Sequence, residues 1–192
     1  QRDVRQRITR NTSNLSSLIN DLVDLSRIEA NRLRLKMASV ELEPLFADLR
    51  WVMNALFAGR EVTFEASIAP GCERVHADPD RLKQIVSSLL VNAGKLMKRG
   101  VIQLAAAPDV QGRVAITVTD TERGMSPAQH QAIFETFHPV PTRARRTSGA
   151  GIGLSLASRS ALLTNGALRT DGTAGRSSRV LLLLDPAPAS RS

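Results

Sequence analysis

Tyrosine is absent from this 192-residue chain, tryptophan occurs once and phenylalanine five times. A surface that holds nucleic-acid bases by stacking needs aromatic rings interleaved with basic residues. Specific nucleic-acid binding is therefore set aside, although the formal net charge of +8 favours anionic ligands or partners. Cysteine is equally scarce. Cys72 alone excludes an internal disulfide and fits a reducing, cytoplasmic compartment. No apolar run approaches the roughly 18 residues that a membrane-spanning helix requires. The opening "QRDVRQRITRN" has no apolar stretch behind its charges and does not read as a signal peptide. His76, His130 and His138 each read as an ordinary surface or packing histidine. What the chain has in quantity is aliphatic: 42% of it is hydrophobic, enough for one ordinary domain plus an extra element.

That extra element is the N-terminal segment. Val4, Ile8, Asn11, Leu15, Leu18, Leu22 and Leu25 alternate spacings of four and three, the stripe of a helix packed lengthwise on another helix. Ile19, Val23 and Ile28 widen the stripe toward that of a bundle, and Asn11 sits in the seam where a polar residue fixes register. Residues 1–36 contain no antiparallel mate, so they read as part of a dimerisation bundle whose partner lies elsewhere.

From residue 37 the pattern changes. A helix is expected from Glu43 to about Phe57, with Pro44 in its first turn. "EVTFEASIAP" alternates as a half-buried strand. "DPDRLKQIVSSLLVNAGKLM" opens with Asp78 as N-cap and Pro79 at the first helical position. "VIQLAAA" and "RVAITVTD" form a hairpin through "PDVQGR", and a short helix is expected at "SPAQHQAIFETF". The helix "GIGLSLASRSALLTNG" is closed by Gly166 as C-cap, and "ALRTDGTAGRSSRVLLLL" makes a last hairpin. The fold class is α+β: a two-layer α/β sandwich with a mixed sheet on helices, preceded by a long N-terminal helix. The boundaries are residues 1–36 for the bundle helix, 37–186 for the α/β domain and 187–192 for a disordered tail.

Three places carry candidate chemistry. In the helix from Asp78, Leu82, Ile85, Val86, Leu89, Leu90, Ala93 and Leu96 share the core-facing arc, while Ser88, Asn92 and Lys95 form a row at its edge. An amide oxygen suits Mg²⁺ and an ammonium suits phosphate, although any amphipathic helix has a polar margin. Asp120 follows Val114, Ile116 and Val118 in the same period-two phase, which aims a carboxylate inward. Buried there it must meet a donor: a turn, or a ligand N–H such as the exocyclic amino group of a purine. In "GAGIGLSLA", residues 149–157, three glycines on alternate positions run into a helix start, where backbone N–H groups and the dipole suit an anion. Taken alone, that run serves a surface loop equally well.

Together, four segments resemble the ordered boxes of the catalytic, ATP-binding domain of sensor histidine kinases, a GHKL-type ATPase fold. "DPDRLKQIVSSLLVNAGK" is similar to the N box, "DTERGM" to the first glycine box, "IFETF" to the phenylalanine box and "GAGIGLSLA" to the second glycine box. "LINDLVDLSRIEANRLRL" resembles the second helix of the dimerisation hairpin, and "AGRSSRVLLLLDP" the closing hairpin. The resemblance spans nearly the whole chain. It implies an ATP and Mg²⁺ site in which Asn92 coordinates the metal, Lys95 faces the phosphates, and Asp120 accepts the adenine amino group. Gly124 would lie beside the base, Ser178 would help Asp120 hold the purine, and Gly149, Gly151, Gly153 and Leu154 would line the phosphate loop. The basic "TRARR" falls in the region of the lid.

The implied activity is transfer of the ATP γ-phosphoryl group to a histidine outside this sequence, with no catalytic side chain of its own. The implied partners are a second kinase chain, identical or not, through the N-terminal helix, and a response regulator or phosphotransfer domain. A membrane would enter only through upstream segments. Ser88 stands where the N box has another Asn, and Glu122 where the first glycine box has its first Gly. These departures, with the missing acceptor histidine, motivate the alternative of a catalytically weak, kinase-like regulatory module.

Overall fold

Alternate residues of the central strands are buried because, among the described residues, helices cover one face of the sheet. The computed structural model describes residues 34–94, 97–121, 150–173 and 177–188, together with Val23 and Ser26, both helical and exposed. Of the N-terminal stripe, only Val23 therefore falls among the described residues.

The sheet has five strands: β2 (Glu61–Ile68), β4 (Arg99–Pro108), β5 (Val114–Asp120), β7 (Ser177–Leu184) and β6 (Ala167–Thr173), in the spatial order β2-β4-β5-β7-β6. β2 and β4 are parallel, and the other three pairings are antiparallel. A parallel neighbour demands a long crossover, and the chain supplies it with β3 (Arg74–Ala77) and helix α2 (Pro79–Gly94). Helix α1 (Leu42–Phe57) packs on β2 and α2, and α3 (Ala150–Leu163) packs on α2 and β6. The mixed sheet under a helical layer is the expected architecture.

The core is aliphatic, as the composition requires. Met53, Val86, Leu90, Ile102, Leu104, Ile116 and Leu182 are fully buried between sheet and helices. The predicted arc of α2 is confirmed from Leu82 to Leu90, with Ala93 partly buried at its margin. Cys72 is buried in the same core, and burial first, then the charge of Glu73, pushes its thiol above the usual range.

Two strands were not legible from composition. β1 (Ala38–Glu41) pairs antiparallel with β3, helped by an ion pair between Arg74 and Glu41. The residues after β7 join them: His76 N donates to Asp185 O at 2.9 Å and Ala187 N to Arg74 O at 3.3 Å. The end of the sheet strand is thus tied to the start of the domain, and the described chain continues through residue 188. His76 lies in this small sheet, half-buried.

The close of α3 corrects one expectation. Asn165, at φ 55°, takes the left-handed position, and Gly166 N donates to Ala161 O at 2.8 Å, the six-to-one bond of a Schellman ending. Asn tolerates that conformation because its short polar side chain bonds locally. Glycine is needed one residue later for space: a Cβ on Gly166 would come within 2.9 Å of Leu183 O.

Asp78 performs the predicted capping and one further task. Its Oδ1 accepts the amides of Asp80 and Arg81, each at 3.1 Å, while Oδ2 accepts Lys36 N at 2.7 Å. One buried carboxylate therefore starts α2 and fastens the chain entering the domain. Asp78→Ala is expected to lose the cap and strand the Lys36 amide, together roughly 2–3 kcal/mol. Thermal denaturation should register a fall in Tm of roughly 5–10 °C. A Tm within about 2 °C of wild type would contradict this role.

Candidate functional site

The central strand β5 ends in Asp120, and its register partner on β7 is Ser178. Directly opposed residues of an antiparallel pair point to the same face. Asp120, 6% exposed, and Ser178, 9% exposed, accordingly meet beneath the helical layer, and the Ser178 hydroxyl donates to Asp120 Oδ2. A buried carboxylate is costly without donors, and this hydroxyl is one that the strand register delivers from 58 residues away.

The backbone just past Asp120 is fixed as firmly. Thr121 N donates to Val101 O at 3.2 Å, and Thr121 Oγ1 accepts Val101 N at 3.0 Å. The loop can close this tightly only over Gly100, whose φ is 115° and whose added Cβ would lie 2.6 Å from Thr121 Oγ1. Thr121 and Gly100 were not singled out from the sequence. A glycine beside a strand start is a visible signal, but its opposing threonine is not.

Asn92 sits in the last turn of α2, half-buried on the edge of the helix, and Ser88 lies one turn earlier with similar exposure. The next landmark is Gly94. A Cβ there would lie 3.4 Å from Ile102 Cδ1, and Ile102 is the register partner of Asp120 on β4. Because opposed residues share a face, the last turn of α2 stands over the end of the sheet where Asp120 and Ser178 meet. Two elements distant in sequence thereby bring an amide-bearing turn to a buried carboxylate.

Gly151, Gly153 and Leu154 fall in the opening of α3, whose helical backbone begins at Ala150 and which packs along α2. Lys95, Gly124 and Gly149 lie outside the described residues, as do Glu122, the "IFETF" and "TRARR" segments, His130 and His138. Among the described residues, no group of three or more His, Cys, Asp or Glu is placed to hold a metal ion. Mg²⁺ keeps several waters and takes substrate phosphates as ligands, so a site for it needs few donors from the protein, and the Asn92 amide oxygen is of the hard type it accepts.

Phe57 and Arg60 were also missed. Phe57, at the end of α1, fills the notch left by Gly94, and Arg60 Nη1 approaches Gly94 O at 3.5 Å. Both touch the turn that carries Asn92.

Residues 77–188 match the family described as histidine kinase-, DNA gyrase B-, and HSP90-like ATPase. Among curated relatives, the sensor histidine kinase ZraS of Klebsiella oxytoca is 31% identical over 150 residues, covering 78% of this chain and 30% of that protein. The full-length crystal structure of ShkA in complex with AMPPNP superposes with a TM-score of 0.82 at 28% identity, covering 98% of this chain and 39% of that one. The catalytic domain of histidine kinase ThkA shares the fold, with a TM-score of 0.67 at 20% identity over 80% of this chain and 100% of that domain. The chain spans less than a third of the length of ZraS. No described helix is long and apolar enough to cross a membrane.

Proposed function

Since this chain belongs to the histidine kinase-, DNA gyrase B-, and HSP90-like ATPase family and carries the catalytic ATP-binding domain of sensor histidine kinases, we propose that it binds Mg²⁺–ATP and presents the γ-phosphoryl group to a histidine outside the sequence given. The observation that carries this reading is the buried Asp120–Ser178 pair beneath the last turn of α2. A carboxylate backed by a hydroxyl is an acceptor set for an amino group, and its burial excludes the water that would compete for it.

The roles follow from chemistry. Asp120 accepts the exocyclic amino group of adenine, and Ser178 holds the carboxylate in place. Gly124 lets the backbone pass the base. Asn92 offers its amide oxygen to Mg²⁺, and Lys95 sets a positive charge against the phosphates. Gly151, Gly153 and Leu154 open α3 so that its N-terminal amides and dipole face the triphosphate, and Gly149 precedes them in the sequence as part of the same phosphate loop. When bound, Mg²⁺ neutralises the charge that builds up between the β- and γ-phosphates. Positioning and electrostatics are then the whole of this domain's contribution, with no covalent step on its own side chains.

A response regulator or phosphotransfer domain would receive the phosphoryl group from the acceptor histidine, and the N-terminal helix would pair with a second kinase chain. Support for these partners comes from relatives that are sensor kinases, such as ZraS.

Calorimetric titration with AMPPNP and Mg²⁺ tests the reading. The expected result is a saturable single-site isotherm. A matching rise in Tm should follow, since ligand at one hundred times Kd stabilises by about 2.7 kcal/mol. A folded sample that shows neither heat nor a shift in Tm overturns the proposal and leaves a regulatory module in its place.

A further inference from the structure

We propose that the turn between α1 and β2 is a clamp that positions Asn92 for the metal, with Arg60 and Phe57 as its two positioning residues; the inference rests on the nucleotide-binding reading above. The turn is rigid by its own geometry. Ala58 has φ −52° and ψ 123°, Gly59 has φ 79°, and Arg60 N donates to Phe57 O at 2.9 Å. These are the angles and the bond of a type II turn, whose third residue must take positive φ and so is glycine here. Phe57 and Arg60 are the first and fourth residues of that turn, so their positions are fixed relative to one another.

Both reach the same residue of α2. The Phe57 ring, 3% exposed, occupies the notch at Gly94, where even one added carbon would meet its Cζ at 2.3 Å. Arg60 Nη1 lies 3.5 Å from Gly94 O. The last carbonyls of a helix have no partner within it, and the negative end of the dipole gathers there. A guanidinium at that point answers both, even at long hydrogen-bond distance, and holds down a turn that otherwise frays. Asn92 belongs to that turn. A ligand presented from a fraying helix end loses affinity, because its orientation has to be ordered each time the metal binds. Groups that orient a metal ligand without touching the metal are worth about tenfold or more in metal affinity.

Two measurements on the whole chain test the clamp. In Arg60→Ala, the ratio of AMPPNP affinities with and without Mg²⁺ should fall roughly tenfold, while the affinity without Mg²⁺ stays within about twofold. Arg60→Lys should recover part of the ratio, because its charge still faces the helix end. In parallel, hydrogen exchange at the amides of residues 91–94 should quicken about tenfold in Arg60→Ala, with the core strands unchanged. An unchanged exchange pattern overturns the clamp, whatever the nucleotide does. Quickened exchange with an unaltered Mg²⁺ ratio overturns the positioning role and leaves a purely structural contact. A wild-type chain that binds no nucleotide sinks the reading of the site instead, and exchange alone then decides the clamp. Size compensation gives a further check: Gly94→Ala should lower Tm, and adding Phe57→Leu should restore part of the loss. A double variant no better than Gly94→Ala would remove the ring from its assigned notch.

Discussion

Asp120→Asn is expected to weaken adenine-nucleotide binding by about a hundredfold, or about 3 kcal/mol, while the domain stays folded. The substitution keeps the size of the side chain and exchanges one acceptor oxygen for a donor. Inside the protein the exchange is tolerable, because the oxygen that remains still accepts the Ser178 hydroxyl and the amide nitrogen is left on the ligand side. The purine cannot adapt in this way. Its amino group would meet an N–H where the carboxylate had been, and two buried donors facing each other leave both unsatisfied. Ser178→Ala should fall between, losing about 1 kcal/mol, since it removes a support and leaves the acceptor. Calorimetry gives the affinities, and denaturation shows whether the fold survives. Binding by Asp120→Asn within about threefold of wild type would mean that Asp120 does not face the base.

Glu122→Gly is expected to change affinity in the opposite direction, strengthening nucleotide binding about tenfold or more. The residue stands two positions after Asp120, in the place where the first glycine box has glycine. An anion there opposes a polyphosphate by about 1–2 kcal/mol if the two are roughly 8–10 Å apart in an environment of intermediate dielectric. The resemblance also implies that backbone alone would pass the base at this position, where glutamate carries a side chain. The two effects separate experimentally. Glu122→Gln removes the charge and keeps the bulk, and its gain should shrink as salt rises from about 0.05 to 0.5 M. Glu122→Gly should add a further increment that salt does not touch. A decrease in affinity for either variant would show that Glu122 assists the ligand.

Some features were legible because a single element encodes them. Asp120 was placed inward by period two, since Val114, Ile116 and Val118 had already declared which face of the strand is buried. Asp78 was readable as a cap because Asp-Pro at a helix start is a local signal, and among the described residues the structure adds the Lys36 amide to its partners. The hairpin from β4 to β5 is local for the same reason. Asp109 accepts the amides of Gln111 and Arg113, each at 2.8 Å. Burial pushes that carboxyl upward, but these bonds and the Arg113 guanidinium outweigh it and hold the group below its usual range.

What the sequence did not disclose depends on pairs of residues far apart. β1 and β3 are four residues each, too short for a periodic signal, and each is stabilised by the other and by the segment at Asp185. The Phe57–Gly94 contact joins the ends of two helices, and neither residue type predicts it. Ser178 was named only through the resemblance, yet the register of β5 on β7 delivers it to Asp120. At the end of α3 the sequence "TNG" offers two residues able to take positive φ, and packing against Leu183 and Ala161 decides between them.

In the proposed function, Asp120, Asn92 and the glycine-led start of α3 serve a single nucleotide. An isotope-labelled NMR titration with AMPPNP and Mg²⁺ follows the backbone amides of all three at once. The predicted result is that Asp120, Ser178, Asn92 and Gly151 shift along one binding curve with one Kd, while residues of β1 and β3 stay still. Shifts of Asp120 and Asn92 at different ligand concentrations, or of Asn92 alone, would contradict the account.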